Sequence, residues 1–224
     1  MWAKFSLTED EEGGADVPNQ EAVGVHHLAR KFLTKRVLNV KAVARTFKPL
    51  WRPVGELKIC DSGDNVLVFE FADVMDLERV LEYKLWSYDK SLIAFQRVFD
   101  VEQIPHLVYN QVPFWVQLHN IPLNNLNHET VEAIARAIGT VIQVANPEDD
   151  GVGGEFLRAR VAMDISKPLL RVLKLKLVGK HIGLVGLKYE CLPNFCYWCG
   201  RATHGERDYE VWLRGRGKLS RDDQ

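Results

Sequence analysis

Hydrophobic residues recur with two different periods along this chain, and the switches between them outline a β-α-β-β-α-β order over residues 25–100. A strand fits His27–Val37. Asn39 is then a good N-cap, because its short side chain can accept from the free amides of the first turn. Val40, Val43, Ala44 and Phe47 fall at i, i+3, i+4 and i+7, which predicts a helix with Lys41, Arg45 and Lys48 off the apolar stripe. Pro49 and Pro53 should end it. Val54–Cys60 and Val66–Phe71 read as strands joined by Asp61, Ser62, Gly63 and Asp64. Asp73 should cap a second helix with Leu77, Val80 and Leu81 inward, and Ser91–Phe99 closes the unit. Two split β-α-β halves on one antiparallel sheet are the ferredoxin-like arrangement.

After a linker over 101–112 containing Pro105, the order partly repeats over 113–190. Phe114–Asn120 is a strand, and Asn127–Ile138 a helix with Gly139 as its natural C′ residue. Thr140–Ala145 and Phe156–Ile165 are strands separated by a turn over 147–154. Leu169–Tyr189 reads as a short helix or extended piece followed by a hairpin across Gly179. The fold class is therefore α+β: two ferredoxin-like (RRM-like) units, the second irregular, and a small tail.

Strand alternation assigns faces. In Val66–Phe71, Leu67, Phe69 and Phe71 form the core set, leaving Val66, Val68 and Glu70 outside, which gives no platform for stacking bases. In the second unit Phe114, Val116 and Leu118 point inward, leaving Trp115, Gln117 and His119 on the open face. Arg158 and Arg160 are the outward set of Leu157–Val161. First and third strands are neighbours in this fold, so Trp115, His119, Arg158 and Arg160 should share one surface, an aromatic with cationic rims suited to single-stranded nucleic acid.

Hydrophobic residues are 46% and charged residues 26% of the 224, a globular balance. The longest charge-free stretch, Gln103 to His128, carries three prolines and several amides, so no membrane span is expected. No secretory signal is visible, and an intracellular setting, nuclear or cytoplasmic, is expected. The net charge of −1 conceals strong asymmetry. Residues 1–24 hold six acids and one base and read as a disordered acidic arm. Residues 25–52 hold eight bases and no acid, residues 53–155 carry net −11, and residues 156–188 hold eight bases against Asp164 alone. Basic segments of this kind can hold a polyanion even on a neutral protein. Enzyme signatures are missing: residues 151–154 lack the third glycine of a dinucleotide fingerprint, Glu148, Asp149 and Asp150 suit a solvated turn, and no catalyst is expected.

Three of the four cysteines lie between Cys191 and Cys199. Cys196, Cys199 and His204 have the C-x2-C-x4-H spacing with which two thiolates and an imidazole can reach one tetrahedral Zn²⁺, and Gly200 permits the turn. The position four residues beyond His204 is followed by Tyr209, whose phenol is a poor ligand at neutral pH. Asp208 could supply the fourth donor, or Cys191 could, or the set stays at three and holds zinc weakly.

The run from Leu187 to Gly200 (LKYECLPNFCYWCG) resembles the approach to the zinc knuckle that follows the plant domain of unknown function 4283. Upstream, Phe69–Asp73 (FEFAD), Asp76–Leu81 (DLERVL) and Trp86–Asp89 (WSYD) resemble that domain, and Val112–Leu123 (VPFWVQLHNIPL) its usual continuation. The resemblance covers roughly residues 25–209 and implies a retrotransposon-derived protein that binds nucleic acid, with residues 191–209 as a degenerate knuckle lacking the last cysteine and 210–224 as a flexible basic tail. The expectation is a non-catalytic module for single-stranded RNA or DNA, with Lys41, Arg45, Lys48, Trp115, His119, Arg158 and Arg160 as contacts, and a protein-interaction scaffold as the alternative.

Overall fold

The structure, a computed structural model, describes residues 24–82, 86–99, 101–145, 156–177, 180–205 and 214. The acidic arm up to residue 23, the 147–154 turn, Gly179, Asp208, Tyr209 and the basic tail other than Arg214 lie outside the described residues. The first unit runs β1 (His26–Phe32), α1 (Val40–Trp51), β2 (Leu57–Asp61), β3 (Val66–Phe71), α2 (Val74–Glu82), β4 (Ser87–Tyr88) and β5 (Ser91–Val98). The second runs β6 (Gln111–His119), α3 (His128–Ile138), β7 (Thr140–Val144), β8 (Leu157–Asp164), β9 (Val172–Leu177) and β10 (Lys180–Tyr189). Sheet orders are β2-β3-β1-β5-β4 and β7-β8-β6-β10-β9, and every described pairing is antiparallel. Both are ferredoxin-like sheets with one extra edge strand, and the second lacks the helix between its third and fourth main strands.

Local chemistry sets the element ends. Asn39 Oδ1 accepts from Ala42 N at 3.1 Å, and Asp73 Oδ1 accepts from Met75 N at 2.8 Å. Pro49 does not stop α1, as its sequence predicted. The helix continues to Trp51, whose indole is buried in the core, and ends on Arg52 in the left-handed region at φ 45°. Burying that indole outweighs the one amide that proline cannot donate. Arg79 Nη2 then donates to the Trp51 and Arg52 carbonyls at 3.0 and 3.1 Å and to the buried Asp76 carboxylate at 2.7 Å. Asp76 also accepts from Gly55 N at 2.9 Å, so one ion pair ties α2 to the end of α1. Gly139 follows α3 with extended backbone at φ 173°, not as a left-handed cap. Its glycine is needed for closeness: a Cβ there would stand 2.4 Å from the Ala162 carbonyl oxygen and 2.8 Å from Val161 Cγ1.

The first core holds Leu28, Phe32, Phe47, Trp51, Phe69, Phe71, Leu77 and Ile93 beneath the two helices. Arg30 lies on the same face of β1, fully buried, and so is no part of a basic surface. Its Cζ sits 3.9 Å from the Trp51 ring centroid, 4.5 Å from Phe69 and 4.6 Å from Phe95, while Nε, Nη1 and Nη2 have no hydrogen-bond partner among the described residues. Burial in this box holds its guanidinium well below the usual arginine range.

The opposite face of the first sheet is not open, contrary to the alternation argument. Val66 and Val68 are buried with Ala29, Val98 and Ile104, because residues 101–106 wind a 3-10 turn back across the sheet. The linker is thus a lid on an apolar face. Further along that face, Leu92 and Ala94 join the core of the second unit, alongside Phe114, Val116, Val131, Ile134, Val161, Val185 and Leu187.

Four aromatic faces attract Arg30, yet desolvating a guanidinium costs several kcal/mol, more than exposed cation–π contacts return. Arg30→Met should therefore leave stability unchanged or raise it by about 1–4 kcal/mol in urea unfolding. A loss above about 2 kcal/mol would show that the aromatic box gives a net stabilisation.

Candidate nucleic-acid and zinc site

The residues after β10 fold onto the second sheet where a helix is missing. Ala202 is buried in the second core, with Leu192 and Phe195 packed against it. Leu169 N donates to Gly200 O at 2.7 Å, and Gly200, at φ 72°, would bring a Cβ within 3.1 Å of Pro168 Cβ. The tight turn closes through Gly200 N to Cys196 O at 2.8 Å and Cys196 N to Arg201 O at 2.9 Å. Residues 201–205 are consequently packed rather than loose, in contrast to a mobile tail from Arg201 onward.

This turn gathers Cys196, Cys199 and His204, whose ligand atoms all lie within 4.8 Å of one another. Cys199 Sγ is 3.3 Å from His204 Nε2, and Thr203 Oγ1 is 3.1 Å from His204 Nδ1. Zinc bond lengths of about 2.0–2.3 Å require donor separations near this value, and an imidazole anchored through Nδ1 presents Nε2 as ligand. The donor set fits zinc: Cys196, Cys199 and His204 would hold it, and the ion would clamp the turn against the second core. With three protein donors that binding is weak. Burial pushes the Cys196 thiol up, so taking the ion would release its proton. Cys191 is not recruited. It is exposed, sits at φ 53° in the turn leaving β10, and falls outside the cluster.

On the outer face of the second sheet, Trp115 pairs with Arg160 and Gln117 with Arg158 across β6 and β8, so the expected residues do share a surface. Their side chains are already engaged. Arg158 Cζ lies 4.7 Å over the Trp115 ring and its Nη1 is 3.4 Å from Glu190 Oε2. Glu190 Oε1 accepts from Gln117 Nε2 at 3.0 Å, and His119 Nε2 is 3.1 Å from Gln117 Oε1, with its ring 5.0 Å from Phe156. Arg160 donates to the carbonyls of Leu81 and Glu82 at 2.8 and 3.1 Å, capping α2 of the first unit, and burial pulls its guanidinium down. Alternation placed these residues together. It could not show that Glu190 and the α2 carbonyls would claim both arginines.

The eight bases of 25–52 separate in the same way. Arg30 is buried, Lys31 pairs with Asp64, and Arg36 pairs with Asp89 at 2.7 Å. Lys41, Arg45, Lys48 and Arg52 are exposed along the outer side of α1, at successive spacings of four, three and four residues. That spacing sets them in one line.

A groove of about 1040 Å³ opens between the knuckle turn and the end of β10. Tyr189, Phe195, Tyr197 and Trp198 line it, with Arg171 and Lys188, and its lining includes no carboxylate. Tyr197 is 61% exposed, and its ring stands edge-on to Phe195 at 5.0 Å. The Tyr189 hydroxyl donates to Leu170 O at 2.6 Å, and burial pushes its phenol up to about 12, so it stays protonated. The sequence argument missed this groove; the cluster of Tyr189, Phe195, Tyr197 and Trp198 around the cysteines was its only signal.

Residues 25–99 match the family model of a domain of unknown function (DUF4283), and residues 163–211 match that of a zinc knuckle. The second match begins in β8, which agrees with a knuckle built into the second unit. An uncharacterized protein of Arabidopsis thaliana is 26% identical over 130 residues, covering 58% of this chain. The match spans 41% of that relative. Among the described residues, no helix is long and apolar enough to cross a membrane.

Zinc should raise the melting temperature, because it binds a turn packed into the second core. Chelator competition should give wild-type affinity unchanged by Cys191→Ser, lost in Cys199→Ser, and tightened at least about tenfold by Tyr209→Cys, which closes the tetrahedron. Weakening by Cys191→Ser would return that thiol to the ligand set.

Proposed function

We propose that the chain is a non-catalytic module that binds single-stranded RNA or DNA with little sequence preference. The groove beside the knuckle carries this reading: four aromatic side chains with two cations at the rim and no acid in the lining. Every base has a π-face, so such a surface accepts any base that is unstacked, whereas a duplex keeps its bases out of reach. The cationic line on α1 supplies phosphate contacts, which position the strand without reading its sequence. The zinc-knuckle match supports the same reading.

Binding of a labelled single-stranded 12-mer, followed by polarisation from low to high salt, tests it. Trp198→Ala and Tyr197→Ala should each weaken binding by about 1–3 kcal/mol. Changing Lys41, Arg45 and Lys48 together to Ala should flatten the salt slope by up to about three units with an unchanged melting temperature. No binding at low salt would favour the protein-interaction scaffold instead.

A further inference from the structure

We infer that the acidic segment 1–24 of this chain is the resident occupant of the cationic line on α1, and that nucleic acid must displace it. The competition rests on the nucleic-acid reading; the contact itself does not.

Lys41, Arg45, Lys48 and Arg52 form a ridge of four positive charges with no acid between residues 25 and 52. Of the other bases in that stretch, Arg30, Lys31 and Arg36 are buried or paired, so the open charge is concentrated on this one helix side. No salt bridge to these four is found among the described residues. Neighbours three and four apart on a helix stand roughly 5–6 Å from each other. A polyanion with a repeat near that length is the natural counterpart.

Segment 1–24 supplies one. It contains Glu9, Asp10, Glu11, Glu12, Asp16 and Glu21 against Lys4 alone, net −5 facing +4. In extended chain, alternate residues lie roughly 6–7 Å apart, close to the ridge repeat. Its point of attachment is favourable too. His26, the first residue of β1, pairs with Phe71, and the Phe71 ring is 6.2 Å from Trp51, the last residue of α1. The segment therefore joins the fold beside the Arg52 end of the ridge. Glu12 precedes His26 by 14 residues, a span of up to roughly 45 Å when extended, while the ridge is only about 16 Å long. A tether this short sets an effective concentration in the millimolar range, at which individually weak ion pairs still give substantial occupancy.

Zero-length carbodiimide coupling on the full chain, read by peptide mass spectrometry on the monomer, tests the contact without nucleic acid. Isopeptide links from the Glu9–Glu12 peptide to Lys41 or Lys48, lost in 1 M salt, are expected. Links only to Lys174, Lys176 or Lys188, or none, would overturn the inference. In a second arm, Glu9→Gln, Asp10→Asn, Glu11→Gln and Glu12→Gln are combined in the full chain and binding of a dT 12-mer is measured. The combined variant should bind roughly 3–10-fold tighter at low salt, the gain vanishing at high salt and when the four ridge cations are changed to Ala. Equal affinity of wild type and variant overturns the displacement. If the links form but neither protein binds any oligonucleotide, the contact stands and the nucleic-acid reading falls.

Discussion

Two five-stranded sheets present four faces, and the three α-helices among the described residues cannot cover them. Everything unusual in this chain follows from that shortage. Uncovered strand faces rich in Val and Leu would cost about 25 cal/mol for each Å² of apolar surface left in water, so other parts of the chain are drawn over them. The 101–106 turn closes one side of the first sheet through Ile104. The knuckle turn, through Ala202 with Leu169, covers the part of the second sheet that a missing helix leaves bare. The two units share a core at Leu92 and Ala94 for the same reason.

The covering is incomplete at one place, where the knuckle is shorter than the helix it replaces. That gap is the aromatic groove. Zinc at Cys196, Cys199 and His204 would stiffen the wall that carries Tyr197 and Trp198, so metal and groove are two features of one turn. A weak three-donor site suffices there, because packing against Pro168 and Leu169 already holds the turn in shape. The first unit contributes charge, and the Arg79–Asp76 pair, by capping the end of α1, fixes where its outer side faces.

Most of the element order was legible in the sequence because period and capping are local properties. The Asn39 and Asp73 caps, the hairpin across residues 178–179 and the alternation in β6 and β8 all survive. What failed was whatever depended on a distant partner. Pro49 should break a helix, yet Trp51 continues it to reach Phe69 and Phe71. Val66 and Val68 looked external until residues 101–106 folded over them. Arg30 counted as surface charge because nothing in β1 itself reveals the rings of Trp51, Phe69 and Phe95 that enclose it. The three zinc donors were legible from spacing alone, whereas the groove was not, since its walls come from residues 168–172 and 187–200, brought together only by the sheet.

Photo-crosslinking locates the bound strand most directly. A 4-thiouridine-containing single-stranded oligonucleotide irradiated with the full chain should attach within residues 187–200, chiefly at Tyr197 and Trp198. Attachment at Trp115 on the outer sheet face, or no attachment at low salt, would contradict the account.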